Sequence, residues 1–191
     1  MPTLYQVHEN KWKGCTRCSL HETRKKVCLF RGTIPCDMLF VGEAPGVSEN
    51  LLGQPFVGPA GKLLDEIIKD GFSGAEGISY ALTNLIGCIP LDEDGQKTAE
   101  PEPDAIEACA PRVQEFVRLA EPQVIVTVGT LSRDYLSPAA RGWKIEVDPK
   151  IKQIHIVHPA AILRMNVAQR GLAVQRCVVT LGNAAENLIP F

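Results

Sequence analysis

Short apolar runs alternate along the chain with stretches in which apolar residues recur at helical spacing. The runs that predict buried strands cover residues 38–41, 78–86, 124–128 and 153–157. The stretches with helical spacing cover residues 59–69, 103–122 and 166–187. Strands that alternate with helices usually pair in parallel, with helices on both faces of the sheet. We therefore predict an α/β fold with three layers, α/β/α, around a central four-stranded parallel sheet.

The length and composition of the chain favour one globular domain. The chain has 191 residues, of which 45% are hydrophobic and 22% charged, and neither repeats nor a low-complexity linker divide it. We therefore predict a single domain over residues 1–191. No apolar run approaches the roughly 20 residues that span a bilayer, and the first residues lack the apolar segment of a signal peptide. We expect a cytoplasmic protein that does not contact a membrane.

Charge is distributed unevenly, so the net charge of −2 does not by itself exclude a nucleic-acid binder. Residues 1–35 and 141–176 each contain seven Lys and Arg against two acidic residues, whereas residues 65–107 contain eleven Asp and Glu against two Lys. Basic ends and an acidic middle permit one basic face on an acidic protein, and a basic face is what a nucleic-acid binder requires.

A glycine-rich loop follows the first predicted strand. Its sequence, GEAPG at residues 42–46, matches neither of the common phosphate-binding glycine patterns. The next residues form a polar stretch with one aromatic side chain, Phe56, and lead into the first predicted helix. In open α/β sheets ligands bind beyond the carboxyl ends of the strands, where this loop is expected to lie.

Polar or aromatic side chains with useful chemistry follow three of the predicted strands. Glu43 and Phe56 follow the first strand, Asn84 ends the second, and His158 follows the fourth. A Phe ring can stack on a nucleobase, an Asn amide can read the edge of a pyrimidine, and a His can donate to a developing oxyanion. Glu43 could position a water molecule. Each residue alone also fits a structural role, but together they predict one binding crevice.

Seven cysteines in a chain with no visible export signal indicate metal binding or buried thiols rather than disulfides. Cys15 and Cys18 form a Cys-x-x-Cys pair that can supply two ligands to a metal. Cys88 and Cys109 are candidates for the other two ligands, with Cys28, Cys36 and Cys177 as alternatives. Four thiolates can bind zinc or an iron–sulfur cluster, and their spacing does not distinguish between them.

In combination, four motifs resemble the iron–sulfur (family 4) uracil-DNA glycosylases over nearly the whole chain. The motifs are Cys15-x-x-Cys18, GEAPG at 42–46 with GQPFVGPAGKLL at 53–64, Thr83-Asn84 with Cys88, and HPAAILR at 158–164. The resemblance implies the uracil-DNA glycosylase fold. It also implies hydrolysis of the N-glycosidic bond of uracil in single- or double-stranded DNA, with free uracil as the product, by a monomer without a lyase step.

The resemblance also implies roles for individual residues. A [4Fe–4S] cluster would be bound by Cys15, Cys18, Cys88 and Cys109. The implied catalytic residues are Glu43, near the attacking water, and His158, at the uracil O2 atom. The residues implied to bind uracil are Gly42, Phe56, Asn84 and His158. The segment implied to enter the DNA minor groove consists of Pro159, Ala160, Ala161, Ile162, Leu163 and Arg164.

Two departures from the family pattern leave other functions open. The family usually has a basic residue between the Asn and the third Cys, where this chain has Gly87, and the stretch between Cys88 and Cys109 contains an acidic insert at residues 92–94. A missing cation should weaken contact with DNA phosphate. One alternative is therefore a catalytically impaired homologue that binds DNA and keeps the fold and the cluster. Another is a zinc protein that binds a free nucleotide.

Overall fold

The computed structural model describes residues 3–92, 94–95, 98–136 and 145–188. Within these residues there are five strands: β1 (Arg31–Gly32), β2 (Met38–Gly42), β3 (Tyr80–Asn84), β4 (Val124–Val128) and β5 (Lys152–Ile156). The same residues form seven α-helices: α1 (Leu4–Trp12), α2 (Val47–Leu52), α3 (Pro59–Gly71), α4 (Pro103–Ala120), α5 (Thr130–Leu136), α6 (Pro159–Leu163) and α7 (Val167–Glu186).

The strands form one sheet in the order β1-β3-β2-β4-β5. Strands β2 to β5 pair in parallel, as predicted, and β1 adds a short antiparallel strand at the edge of the sheet. The apolar pattern does not predict β1, because two residues are too few to show a period. Gly32 permits the pairing, since a Cβ atom there would lie 2.4 Å from the carbonyl oxygen of Tyr80.

The sheet separates two hydrophobic cores, and β2 contributes to both. Met38 and Phe40 belong to the core that also contains buried residues of α3 and α7, whereas Leu39 and Val41 belong to the core beneath α4. Successive side chains of a strand point to opposite faces, so a strand covered on both faces reads as a continuous apolar run. This explains the clear sequence signal of the central strands and confirms the three-layer architecture.

Helix α1 packs on α4, where one carboxylate of α4 accepts hydrogen bonds from three side chains of α1. Glu115 of α4 accepts hydrogen bonds from His8 Nδ1 at 2.9 Å, from Trp12 Nε1 at 3.2 Å and from Lys11 Nζ. The capping box formed by Thr3 begins α1, which ends shortly before the Cys-x-x-Cys pair. The sequence analysis did not predict this helix, because most of its residues are polar and exposed and its stable packing depends on a contact more than 100 residues away.

Two further helices occupy stretches that were predicted as loops. Helix α2 lies in the polar stretch after the GEAPG loop, and α6 lies in the segment that the resemblance implied to enter the minor groove. Both helices have only five or six residues, which is too short for a recognisable apolar period. No helix in the described ranges combines the length and the apolar character needed to cross a membrane.

Gly61 provides a test of the close contact between α3 and the loop before it. A Cβ atom at Gly61 would lie 1.8 Å from the carbonyl oxygen of Phe56, whereas a Cβ atom at Gly171 in α7 would have no neighbour within 4 Å. We predict that Gly61→Ala lowers the free energy of unfolding by about 1–3 kcal/mol because the loop must move. Gly171→Ala should instead raise it, by up to about 1 kcal/mol.

Urea unfolding followed by circular dichroism measures both differences. The packing argument is contradicted if the two glycine variants change the free energy of unfolding by the same amount.

Candidate active site

A cleft of about 640 Å³ lies beyond the carboxyl ends of the parallel strands. Its walls include all four residues that the sequence analysis placed at strand ends, namely Glu43, Phe56, Asn84 and His158. Ligands of open α/β sheets bind at this edge of the sheet. The structure therefore brings together side chains that are more than 100 residues apart in the sequence.

Phe56 has an unusual backbone that the neighbouring residues stabilise. Its φ angle is 56°, in the left-handed region that costs energy for a residue with a side chain. Arg31 of β1 donates from Nε to the carbonyl oxygen of Pro55 at 2.9 Å and from Nη2 to that of Phe56 at 3.1 Å. Asp65 of α3 orients the same guanidinium group through a 2.5 Å ion pair. The aromatic ring is thereby fixed at the wall of the cleft.

Glu49 connects the two loops that form one side of the cleft, and the sequence analysis missed it. Its Oε1 accepts from the backbone N–H of Val57 at 2.9 Å and of Gly58 at 2.7 Å, and its Oε2 accepts from the N–H of Gly46 at 3.1 Å. The side chain is almost fully buried. The available sequence signal was a Glu three residues after Gly46, at the N3 position where a capping acid is favoured.

Gly42 is the last residue of β2 and pairs with Asn84 of β3. It lies between the Phe56 ring and the Asn84 amide. A Cβ atom at Gly42 would lie 2.3 Å from Phe56 Cζ and 2.4 Å from Asn84 Oδ1. Only glycine therefore allows the ring and the amide to approach each other at the floor of the cleft. This geometry gives a physical reason for the glycine at residue 42.

His158 precedes α6 and caps it. Its Nδ1 atom accepts a hydrogen bond from the backbone N–H of Ala160 at 3.1 Å, so the proton of the neutral ring resides on Nε2. Burial lowers the pKa of His158 to about 4, and the positive charge of Arg164 contributes. The imidazole ring lies 6.2 Å from the Phe56 ring, measured between centroids. At neutral pH, His158 is therefore a neutral hydrogen-bond donor in the cleft.

Glu43 has a carboxyl group with a raised pKa. Burial is the main cause and the charge of Glu100 adds to it, whereas the N–H of Leu131 and the charge of Arg164 oppose it. The Leu131 N–H donates to Glu43 Oε1 at 3.4 Å. A carboxyl group that ionises at higher pH than usual is a better proton acceptor once ionised, which suits the activation of a water molecule.

Gly129 allows Glu43 and His158 to approach the same point. Its φ angle is 98°, and a Cβ atom there would lie 2.3 Å from Glu43 Oε1 and 3.2 Å from His158 Cβ. The sequence analysis did not assign a role to this glycine, although a glycine directly after a buried strand often marks such a close approach.

The acidic stretch between Cys88 and α4 forms part of the cleft wall. Its hydrophilic sequence predicts an exposed loop over residues 92–103, and Thr98 to Glu100 are indeed exposed. Residues 98–101 also line the cleft, and the charge of Glu100 raises the pKa of Glu43. Asp134 of α5 lines the cleft as well. Of the acidic insert, Asp92 and Asp94 are described, and Glu93 lies outside the described residues.

The segment implied to contact DNA lies along one side of the cleft. Ala160, Ala161 and Arg164 line the cleft, whereas Pro159 and Ile162 are buried beneath them. The sixth residue of the segment, Leu163, is partly buried. The segment presents small side chains and one exposed cation next to His158.

The four cysteines implied to bind a cluster line one small cavity away from the cleft. These are Cys15, Cys18, Cys88 and Cys109. The alternatives Cys28, Cys36 and Cys177 are buried and are not among the residues that line the cavity. Burial raises the pKa of Cys28 and of Cys36 to about 12.

The cavity has the donor chemistry of a four-thiolate centre. Four cysteine side chains are the usual ligand set of a [4Fe–4S] cluster and of structural zinc. Arg17, Arg24 and Arg112 also line the cavity, so positive charge surrounds the thiols. Within the described ranges, however, no three His, Cys, Asp or Glu side chains are close enough to bind one metal ion as they stand. The residue types fit a four-thiolate centre, and in a [4Fe–4S] cluster each cysteine binds a different iron atom, so the thiols need not meet at one ion.

Comparison with known families agrees with the geometry of the cleft. The sequence profile of the uracil DNA glycosylase superfamily matches residues 31–182. The chain therefore belongs to the uracil DNA glycosylase superfamily.

The similar curated proteins identify the branch of the superfamily. The chain is 32% identical to the type-4 uracil-DNA glycosylase of Archaeoglobus fulgidus over 163 residues, which are 78% of each chain. It is 32% identical to that of Pyrobaculum aerophilum over 174 residues, 84% of this chain and 85% of the relative. It is 36% identical to that of Saccharolobus solfataricus over 124 residues, 65% of this chain and 55% of the relative. The chain thus matches little more than half the length of the Saccharolobus protein. The resemblance to family 4 is confirmed.

The lowered pKa of His158 predicts a specific pH dependence of stability. Below about pH 6.5 the unfolded state binds a proton at this histidine, whereas the folded state binds it only near pH 4. The free energy of unfolding should therefore decrease as the pH falls through this window, by about 3 kcal/mol from this residue alone. His158→Asn, which retains a capping acceptor, should show a shallower decrease.

Urea unfolding at a series of pH values tests this expectation, together with the NMR titration of the His158 ring protons. An NMR midpoint near 6.5, or equal pH dependence in the two proteins, would contradict it.

Proposed function

We propose that this protein excises uracil from DNA by hydrolysing the N-glycosidic bond between the base and deoxyribose. The observation that carries the proposal is the meeting of Phe56, Asn84 and His158 in one cleft at the carboxyl edge of the sheet. The names of the similar curated proteins support it. The substrate is uracil-containing DNA, and the products are free uracil and an abasic site.

In this proposal the uracil ring lies against Phe56 while Asn84 reads its polar edge. The Asn84 side chain offers one acceptor and two donors, which match the N3–H donor and the O4 acceptor of uracil. Cytosine presents an acceptor at N3 and a donor at its exocyclic amine, so it leaves the amide badly matched. Gly42 contributes by leaving the floor of the cleft free of a side chain.

His158 and Glu43 perform the hydrolysis in this proposal. As the C1′–N1 bond breaks, the bonding electrons move to uracil, and the neutral His158 donates from Nε2 to the developing charge on O2. The sugar acquires cationic character and is attacked by a water molecule whose proton passes to Glu43. The raised pKa of Glu43 and the lowered pKa of His158 suit a proton acceptor and a neutral donor, and both residues lie close to Gly129.

The base must leave the helical stack to reach this cleft. Extrusion costs a few kcal/mol and least in single strands. We propose that residues 159–164 enter the minor groove beside the extruded nucleotide, with Arg164 providing an exposed cation next to the DNA. Stacking on Phe56 offsets part of the cost of extrusion.

We further propose that Cys15, Cys18, Cys88 and Cys109 bind a [4Fe–4S] cluster. When bound, the cluster would join the N-terminal segment to the stretch between β3 and α4. The cavity that these four residues line supports the assignment, and the three arginines around it offset the negative charge of the thiolates. The same four ligands also fit zinc. We also propose a single domain, since the described strands form one sheet; the monomeric state and the cytoplasmic location stay predictions.

Asn84 is the residue that tests base recognition most directly. We predict that Asn84→Ala reduces uracil release by about 10²–10³-fold, because interactions that strengthen in the transition state are removed. Binding to uracil-free DNA should be unchanged, since the amide is at the floor of the cleft. Asn183→Ala on the exposed surface of α7 serves as the matched control.

The measurement is alkaline cleavage of a uracil-containing oligonucleotide after incubation with each protein. Wild-type turnover by Asn84→Ala would refute the assigned role.

One observation favours a second candidate, a DNA-binding homologue with impaired catalysis. Glu43, Glu49, Glu100 and Asp134 line the cleft against one cation, Arg164, in the described part of its wall. Such an acidic cleft opposes the entry of a nucleotide with its phosphates, so in this candidate DNA binds outside the cleft and the base does not reach the site. The same oligonucleotide assay separates the two candidates, because the second predicts DNA binding without strand cleavage after alkali.

The cluster proposal predicts different results for two cysteine substitutions. Cys88→Ser should lose brown colour and most of its iron, because the site then lacks one thiolate. Cys177→Ser should retain both, since Cys177 is buried in α7 and is not among the residues that line the cavity. Visible absorbance and metal analysis of anaerobically purified protein provide the readout.

A colourless wild-type protein that contains one zinc ion would replace the iron–sulfur assignment with zinc. A wild-type protein without bound metal would remove the metal centre from the proposal.

A further inference from the structure

We propose that Arg112 couples the four-cysteine cavity to Asn84, with its Nε–H donating a hydrogen bond to a sulfur atom of the metal centre. Arg112 is thus a positioning residue, since it acts on uracil recognition only through Asn84. The inference rests on the iron–sulfur assignment proposed above. Nothing in the sequence analysis pointed to this residue, because an Arg on an amphipathic helix is ordinarily exposed.

Arg112 is almost completely buried, at 1% exposure, although it lies in the middle of α4. Its Nη2 donates to the carbonyl oxygen of Asn84 at 2.5 Å and to that of Leu85 at 3.2 Å. Its Nη1 donates to the Thr83 hydroxyl oxygen at 3.2 Å. One guanidinium group therefore binds three consecutive residues at the end of β3, the middle one of which is the residue proposed to read uracil.

The third nitrogen of the guanidinium group has no partner in the described part of the chain. Arg112 Nε is buried and makes no hydrogen bond there. Among the described residues no carboxylate forms an ion pair with Arg112 either. A buried charge without a counter-charge costs several kcal/mol, and a buried donor without an acceptor adds to that cost. Both observations indicate that a negatively charged acceptor belongs beside Arg112.

The four-cysteine cavity is where such an acceptor would lie. Arg112 lines the cavity together with Gly87 and the four cysteines. A Cβ atom at Gly87 would lie 3.5 Å from Arg112 Nε and 3.0 Å from a methyl group of Val27. Because Gly87 has no side chain, the space beside Arg112 Nε stays open next to the peptide bond that joins Gly87 to Cys88. Thiolates and cluster sulfides are acceptors of the required charge.

Two other arginines line the cavity but cannot couple it to the cleft. Arg24 donates from Nη1 to Cys88 Sγ at 3.6 Å, and Arg17 donates to the carbonyl oxygen of Ala108. None of their described hydrogen bonds reaches β3. Arg112 is the arginine that contacts both the cavity and the strand end with Asn84, so loss of the metal should disturb Asn84 through it.

Arg112→Lys is the decisive variant, because lysine keeps the positive charge and loses Nε and the planar fork. Arg176→Lys, on the exposed face of α7, is the matched control. Three quantities are measured on anaerobically purified holoprotein. These are the rate of iron loss to a chelator, the reduction potential of the cluster, and kcat and KM on a uracil-containing oligonucleotide.

We expect Arg112→Lys to lose iron about tenfold faster, as is usual when a hydrogen bond to a metal ligand is removed. Its reduction potential should decrease, because a donor to sulfur stabilises the more negative, reduced cluster. The value of kcat/KM should decrease in parallel, and Arg176→Lys should match the wild type in all three quantities. An unchanged potential and an unchanged rate of iron loss in Arg112→Lys overturn the inference.

The outcomes separate this inference from the cluster proposal. Wild-type protein without iron means that the cluster assignment fails, whereas an iron-loaded wild type with an unaffected Arg112→Lys means that only the role of Arg112 fails. If Arg112→Lys does not fold, ENDOR spectroscopy of the reduced cluster decides. The sample is protein labelled with ¹⁵N-arginine that carries Arg17→Lys and Arg24→Lys, so that Arg112 is the arginine left in the described lining of the cavity. The cluster should still show magnetic coupling to one arginine nitrogen. Absence of this coupling overturns the inference.

Discussion

The close packing of backbone around Phe56 is the constraint on which the rest of the cleft depends. The ring lies against Gly42 so closely that no Cβ atom fits between it and Asn84, and the backbone of Phe56 lies against Gly61 in the same way. Arg31 and Glu49 stabilise the left-handed conformation from opposite sides of the loop. The flat ring of Phe56 and the amide of Asn84 are therefore held next to each other at the floor of the cleft.

The parts of the fold that could be predicted from the sequence are those with a local signal. Strands β2 to β4 are buried on both faces and read as continuous apolar runs, and the long helices show an apolar stripe. The site residues Glu43, Asn84 and His158 could be placed because parallel strands bring their carboxyl ends to the same edge. Their roles came from the resemblance to a family rather than from periodicity.

The parts that could not be predicted depend on contacts between distant segments. Glu49 and Arg112 are charged residues on helices, and burial of both is decided by loops and strand ends elsewhere in the chain. Glu100 is exposed, and only the folded chain shows that it lies at the cleft and affects Glu43. The missing cation at Gly87 was expected to weaken phosphate binding; the structure places a guanidinium beside Gly87, but it is buried and faces the cavity rather than DNA.

The contact of Glu115 with α1 has a consequence for the order of assembly. The N-terminal arm is tied to α4 by three donors on one carboxylate, less than two helical turns from Cys109 on the same helix. We expect these contacts to hold the arm on α4 without any metal, so that Cys15 and Cys18 lie beside the other two thiols before the proposed cluster is inserted. Insertion of the proposed cofactor would then be a late and local step at a site that protein folding has already brought together.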